Sequence, residues 1–131
     1  MSPGRRNAAS IPLHVRASGL RLAPSERLYI RRKLGSKLSK FASSVERASV
    51  RLEDVNGPRG GVDHVCRIKV VLRALPSVVY EKRGAVLRAV IDGALDGVER
   101  AVRRSVQRRR MAPVRARSRG LPSRTPAARR R

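Results

Sequence analysis

Apolar residues in this chain recur at a spacing of two, then near four, then two again, and last near four. That order of periods constrains the fold more than any other feature. Ile11, Leu13, Val15 and Ala17 alternate with Pro12, His14 and Arg16, the pattern of a strand with one buried face. Pro24 then stands where a first helical turn accepts proline, and Glu26 lies near the helix N-terminus. Tyr29, Ile30, Leu34, Leu38 and Phe41 follow at helical spacing, which predicts an amphipathic helix of about five turns. Alternation returns in Ala48, Val50 and Leu52 and again in His64, Cys66, Ile68, Val70 and Leu72. The dense turn signal Asn56-Gly57-Pro58-Arg59-Gly60-Gly61 lies between these two runs and predicts an antiparallel hairpin with a loop longer than two residues. Leu75-Pro76-Ser77 marks a further turn, and Val78, Val79 and Tyr80 a brief fourth strand before Gly84. Leu87, Ile91, Ala94, Leu95, Val98, Val102 and Val106 then recur as one face of a second helix.

The expected order is therefore β-α-β-β-β-α. Four strands with one polar face and two striped helices are best satisfied by an α+β fold: a two-layer sandwich, with a four-stranded sheet and both helices on one face. The open face of that sheet would show Arg16, Arg51, Arg67, Lys69 and Arg73. One residue of the first helix conflicts with this scheme. On an ideal wheel Lys37 falls inside the apolar stripe beside Ile30 and Leu34, so either its side chain snorkels or the helix, already weakened by Gly35 and Ser36, is locally distorted.

Charge divides the chain. All nine acidic residues fall between Glu26 and Glu99, whereas 32 Lys and Arg are spread along the whole length, for a formal net charge of +23. Residues 1–10 read as a flexible N-terminal tail, 11–106 as the globular domain, and 107–131, with ten Arg, no acid and three Pro, as a disordered basic tail. A chain this basic repels itself unless a polyanion neutralises it, which makes nucleic acid the leading partner class. Tyr29, Phe41 and Tyr80 are the only aromatic residues, too few to read single strands by stacking successive bases.

Little supports catalysis, and a non-enzymatic protein is expected. His14 and His64 have no nucleophile motif beside them, and Cys66 alternates with inward apolar positions as a small core residue. One Cys and two His offer no metal-ligand spacing, and no cofactor, metal or small-molecule substrate is expected. Asp92 and Asp96 share a helix face but read better as part of a surface ion-pair pattern, Asp96 with Arg100 and Glu99 with Arg103 at i, i+4. The glycine-rich turn lacks the Lys-Ser/Thr of a phosphate loop and precedes a strand. No apolar run approaches the roughly 18 residues that span a bilayer and no secretory signal is evident, so no membrane partner and a cytoplasmic location are expected.

The remaining candidates are cations. On the first helix Lys33, Lys37 and Lys40 share a flank with Tyr29, and Arg27 and Arg31 border the other side of the apolar stripe. On the second, Arg100, Arg103, Arg104 and Arg108 gather toward the C-terminus, where cations complement the helix dipole. These nine are the predicted RNA-binding residues.

Three segments in order carry a resemblance: Leu22-Ala23-Pro24 opening a helix that continues Tyr29-Ile30-x-x-Lys33-Leu34, the hairpin from Glu53 to Asp63, and Ala89-Val90-Ile91-Asp92-Gly93-Ala94-Leu95-Asp96 with Glu99-Arg100 following. Over about residues 11–106 the chain resembles a short form of the ribosome hibernation promoting factor family, which includes the ribosome-associated inhibitor protein Y. The resemblance implies a β-α-β-β-β-α domain lodged in the decoding groove of the small ribosomal subunit. There it would overlap messenger and transfer RNA positions and silence idle ribosomes under stress or in stationary phase. It carries over Lys33, Arg100 and Arg104 as matching basic positions, and implies the small subunit and its rRNA as partners, with a monomer off the ribosome. Long members have a second, dimerising domain that this chain is not expected to have, and the tail here is Arg-rich and not acidic. A general shape-specific double-stranded RNA or DNA binder is the competing expectation, since antiparallel strands and a C-terminal helix also suit duplex recognition.

Overall fold

The computed structural model describes residues 11–56 and 60–111, with side chains through residue 108. Six elements follow in the expected order: β1 (Leu13–Ser18), α1 (Pro24–Ser39), β2 (Val45–Asn56), β3 (Val62–Leu72), β4 (Val78–Gly84) and α2 (Leu87–Met111). The four strands form one sheet in the order β1-β2-β3-β4. β1 runs parallel to β2, so α1 is the crossover between them. β2 with β3 and β3 with β4 are antiparallel.

Each strand buries alternate residues. Val15, Ala48, Val50, Leu52, Cys66, Ile68 and Val70 point to one side and join a single core with Ile30, Leu34 and Leu38 of α1 and Ile91, Leu95, Val98 and Val102 of α2. Both helices therefore cover the same face of the sheet, as a two-layer sandwich requires. Burial of such side chains stabilises by about 1.5–3 kcal/mol each. Cys66 lies within this layer, fully buried; burial pushes its thiol up to about 12, so it is an inert small hydrophobe.

α1 begins on proline after Ala23, which has no side-chain oxygen to cap with. Instead Glu26 reaches back to accept the Ala23 backbone N–H at 2.9 Å, half of a capping box. The helix runs without interruption through Gly35 and Ser36 to Ser39, which makes it 16 residues and somewhat shorter than five turns. Phe41 lies past its end and packs on the core from the following turn.

Other boundaries differ from the sequence reading as well, most clearly at β2, β4 and α2. β2 starts at Val45, three residues before Ala48, because a bulge between Val45 and Arg47 lets both Val45 and Ala48 face the core. β4 extends past Tyr80 to Gly84, pairing Glu81, Lys82 and Arg83 with β3; a charged edge strand lacks the apolar alternation that marks an interior one. α2 continues beyond Val106 to Met111, so residues 107–111 are helical and the expected boundary at 106 falls inside a helix. The rest of the predicted basic tail, the N-terminal tail 1–10 and the turn residue Arg59 lie outside the described residues.

α2 crosses beneath β4 on two glycines. A Cβ at Gly97 would stand 2.1 Å from the Tyr80 ring, and one at Gly93 would stand 3.1 Å from the Lys82 side chain. Glycine is needed at 97 because the helix backbone itself is the surface on which Tyr80 lies.

Candidate nucleic-acid interface

The nine predicted cations do not form one surface. On α1, Tyr29, Lys33, Lys37 and Lys40 occupy the flank that faces α2, and the seam between the helices is closed by charge. Lys37 Nζ lies 2.9 Å from Asp96 and 3.2 Å from Glu99. Lys40 reaches Glu99 at 2.7 Å, and Arg103 reaches the same carboxylate at 3.0 Å from within α2. This resolves the misplaced lysine of the apolar stripe: the helix is not distorted, and Lys37 extends across the seam to two acids that only tertiary packing brings near.

Glu99 is the centre of this cluster, with its side chain only 14% exposed. The Lys40 hydrogen bond, followed by that from Lys37, holds its carboxyl below the ordinary carboxylate range against the opposing effect of burial. Lys37 is shifted upward, first by its hydrogen bond to Asp96. Glu99–Arg103 is present as the sequence suggested, but Asp96 turns to Lys37 instead of Arg100. Asp92 accepts a 2.6 Å hydrogen bond from the Tyr29 hydroxyl, and Arg88 lies over the Tyr29 ring at 3.7 Å. The Arg88–Tyr29 cation–π contact thus joins this end of the seam as well, and Lys33 approaches the same ring from within α1 at 5.9 Å.

On the far flank of α1, Arg27 donates to the Val15 carbonyl of β1, tying helix to sheet, while Arg31 is exposed. The remaining three are Arg100, Arg104 and Arg108. They are exposed, have no ion-pair partner among the described residues, and follow one another at intervals of one turn, about 6 Å along the helix axis. Three fixed guanidiniums at that interval can each meet a separate phosphate oxygen pair on a polyanion.

Sequence reasoning thus found the cations but not their division. Lys37, Lys40 and Arg103 are held by acids, Arg27 by a carbonyl and Lys33 by a ring, whereas Arg31, Arg100, Arg104 and Arg108 are available. The position of Lys37 in the apolar stripe was the one signal of the cross-helix cluster. Among the described residues no group of three or more His, Cys, Asp or Glu stands where it could hold a metal ion. Nor is any helix among them long and apolar enough to cross a membrane.

Residues 13–110 match the family model described as sigma 54 modulation protein / S30EA ribosomal protein. The chain belongs to that family. Among solved structures it is similar to the N-terminal domain of protein Y from Thermus thermophilus, at 26% identity with a TM-score of 0.58, covering 72% of this chain and 97% of that one. It shares its fold with a ribosomal subunit interface protein from Coxiella burnetii, at 11% identity and a TM-score of 0.60, covering 72% of this chain and 96% of that one. No curated protein sequence matches it. The family match extends through the whole of the α2 arginine row, past the boundary read from the sequence.

Proposed function

We propose that the protein binds the small ribosomal subunit through its rRNA, occupies the decoding groove and silences idle ribosomes. The observation that carries this reading is the row Arg100, Arg104 and Arg108. It stands on a helix, with no ion-pair partner among the described residues, in a chain of net charge +23. Family membership and likeness to a ribosomal subunit interface protein and to protein Y support the choice of a ribosomal partner over other polyanions. The chemistry is electrostatic: guanidiniums replace the counterions of RNA phosphates, and the gain in affinity comes from counterion release. No catalytic step is required. Obstruction of the groove is sufficient, because messenger and transfer RNA need the same space.

Of the predicted contacts, Arg100, Arg104, Arg108 and Arg31 act directly on phosphates. Lys33 is exposed on α1 beside the Tyr29 ring and adds to the charge there. Lys37, Lys40 and Arg103 present only the charge that remains after Glu99 and Asp96, and they act mainly by fixing the helices relative to each other.

The test is cosedimentation of the full chain with purified small subunits in the presence of excess duplex RNA, followed by inhibition of translation in vitro. Retained cosedimentation with inhibition is expected. Complete displacement by the duplex would show a general double-stranded RNA binder and would overturn the ribosomal reading.

A further inference from the structure

The outward face of the sheet, on the side away from both helices, carries charge in a pattern that the fold does not need. Arg16 of β1, Arg51 of β2 and Arg67 of β3 stand directly side by side in register, and Glu81 of β4 closes the row. The neighbouring row on the same face is His14, Ser49, Lys69 and Val79. Adjacent strands lie about 4.8 Å apart, and like charges placed directly opposite one another across strands are destabilising. Arg67 has one carboxylate, Glu81 at 3.5 Å, with both side chains about half exposed. Arg16, Arg51 and Lys69 have no ion-pair partner among the described residues, and Glu53, one row further along, pairs with none of them.

These four cations, with His14 and Ser49, line a shallow trough of about 410 Å³. Its one ring is the His14 imidazole, and no Phe, Tyr or Trp lines it, so there is no run of rings on which successive bases could stack. What it offers is three guanidinium forks and an ammonium, the groups that recognise phosphodiester oxygens.

We propose that this trough is a second RNA-backbone site, taking a phosphodiester segment on the side opposite the α2 arginine row, so that the domain is clasped between two stretches of RNA. The inference rests on the ribosomal reading above and names a further contact for it. Recognition there is independent of base sequence, and the bound phosphates relieve the repulsion among Arg16, Arg51 and Arg67.

The test uses the full chain carrying Arg16→Gln, Arg51→Gln and Lys69→Gln together. Removing mutually repelling cations leaves the melting temperature at or above that of the wild type, so a loss of binding is not a loss of fold. Binding is measured against salt on intact small subunits and on protein-free rRNA from the same subunits. The expected result is a fall of about two units in the slope of log affinity against log salt on both. The loss should add to that of an Arg100, Arg104 and Arg108 variant, because the two sets lie on opposite faces. Wild-type affinity and slope in the sheet variant, with the helix variant weakened, would overturn the second site and leave the ribosomal reading standing. A loss on intact subunits but not on protein-free rRNA would assign the trough to an acidic protein segment and overturn the proposal. Failure of the wild-type chain to bind subunits, with the salt-dependent loss on free rRNA still present, would overturn the ribosomal reading alone.

Discussion

The seam between the two helices and the open face of the sheet are built from the same cationic residue types and use them in opposite ways. At the seam, Lys37, Lys40 and Arg103 converge on Glu99, with Asp96 as a second acceptor for Lys37. On the sheet, Arg16, Arg51 and Arg67 are set side by side with a single acid at the end of the row. The first arrangement stabilises the domain and withdraws its cations from a partner. The second destabilises the domain slightly and leaves its cations available. A positively charged surface is therefore not one property of this chain: neighbouring acids decide which cations hold the fold and which can meet a polyanion. The α2 row falls in the available class although it continues the same helix that carries Glu99.

The largest effect is expected from replacing Arg100, Arg104 and Arg108 with Gln together. Affinity for small subunits should fall roughly ten- to hundredfold and the salt slope by about two to three units, while thermal stability stays within about 0.5 kcal/mol of wild type. Replacing Lys37 and Lys40 instead should do the reverse: a clear loss of stability with a smaller change in slope. If the two variants lose affinity equally, the division between held and available cations does not describe binding.

Next in size is the scaffold on which both regions depend. Gly97→Ala would place a methyl group against the Tyr80 ring, which must move, and overpacking of this kind costs about 1–3 kcal/mol. Chemical denaturation would measure it. An unchanged midpoint would show that β4 does not rest on α2 as described.

Glu99→Gln removes the acceptor charge from three cations and should destabilise by about 1–2 kcal/mol at neutral pH. Its pH dependence has a definite sign. The folded carboxyl is held below the ordinary value, so its contribution is fully present above the unfolded value near about 4.3. That contribution is lost as pH falls through the lower folded value. The wild type should therefore lose stability in that acid range by a margin that Glu99→Gln lacks. Parallel pH–stability curves for the two proteins would contradict the seam assignment.

The smallest effect, and the one opposite in sign, is expected on the sheet. Arg51→Thr removes the middle of the three cations at an exposed strand position. Stability should rise by about 0.5 kcal/mol at low salt, less in high salt where the repulsion is screened. A loss of stability would mean that Arg51 holds the sheet, and the contrast between the two faces would fail.

Periodicity made the fold legible, and the physical reason is visible at particular residues. Val50, Leu52, Ile68 and Val70 alternate strictly because one sheet face is buried, and Ile91, Leu95, Val98 and Val102 follow a helical period for the same reason. The places that escaped are those where local pattern and tertiary environment part. Val45 is displaced from the alternation by a bulge, Glu81 to Arg83 continue an edge strand without apolar residues, and α2 runs on past Val106 through the exposed Gln107 and Arg108 in place of core residues. For the site, residue type was readable and partnership was not. Lys37 and Glu99 are 62 positions apart, and Arg16, Arg51 and Arg67 meet only through strand register, so neither the cross-helix cluster nor the arginine row follows from local spacing.

Under the proposed function, fixed cations on the domain, and not net charge, silence translation. This is tested by comparing two full-length variants of equal net charge in translation in vitro. One replaces Arg100, Arg104 and Arg108 with Ala, and the other replaces Arg115, Arg117 and Arg119 with Ala. The first is expected to lose most of its inhibition while the second keeps most of it, because the row on α2 sets the phosphate contacts. Equal loss in both would contradict it and leave net charge as the whole explanation of binding.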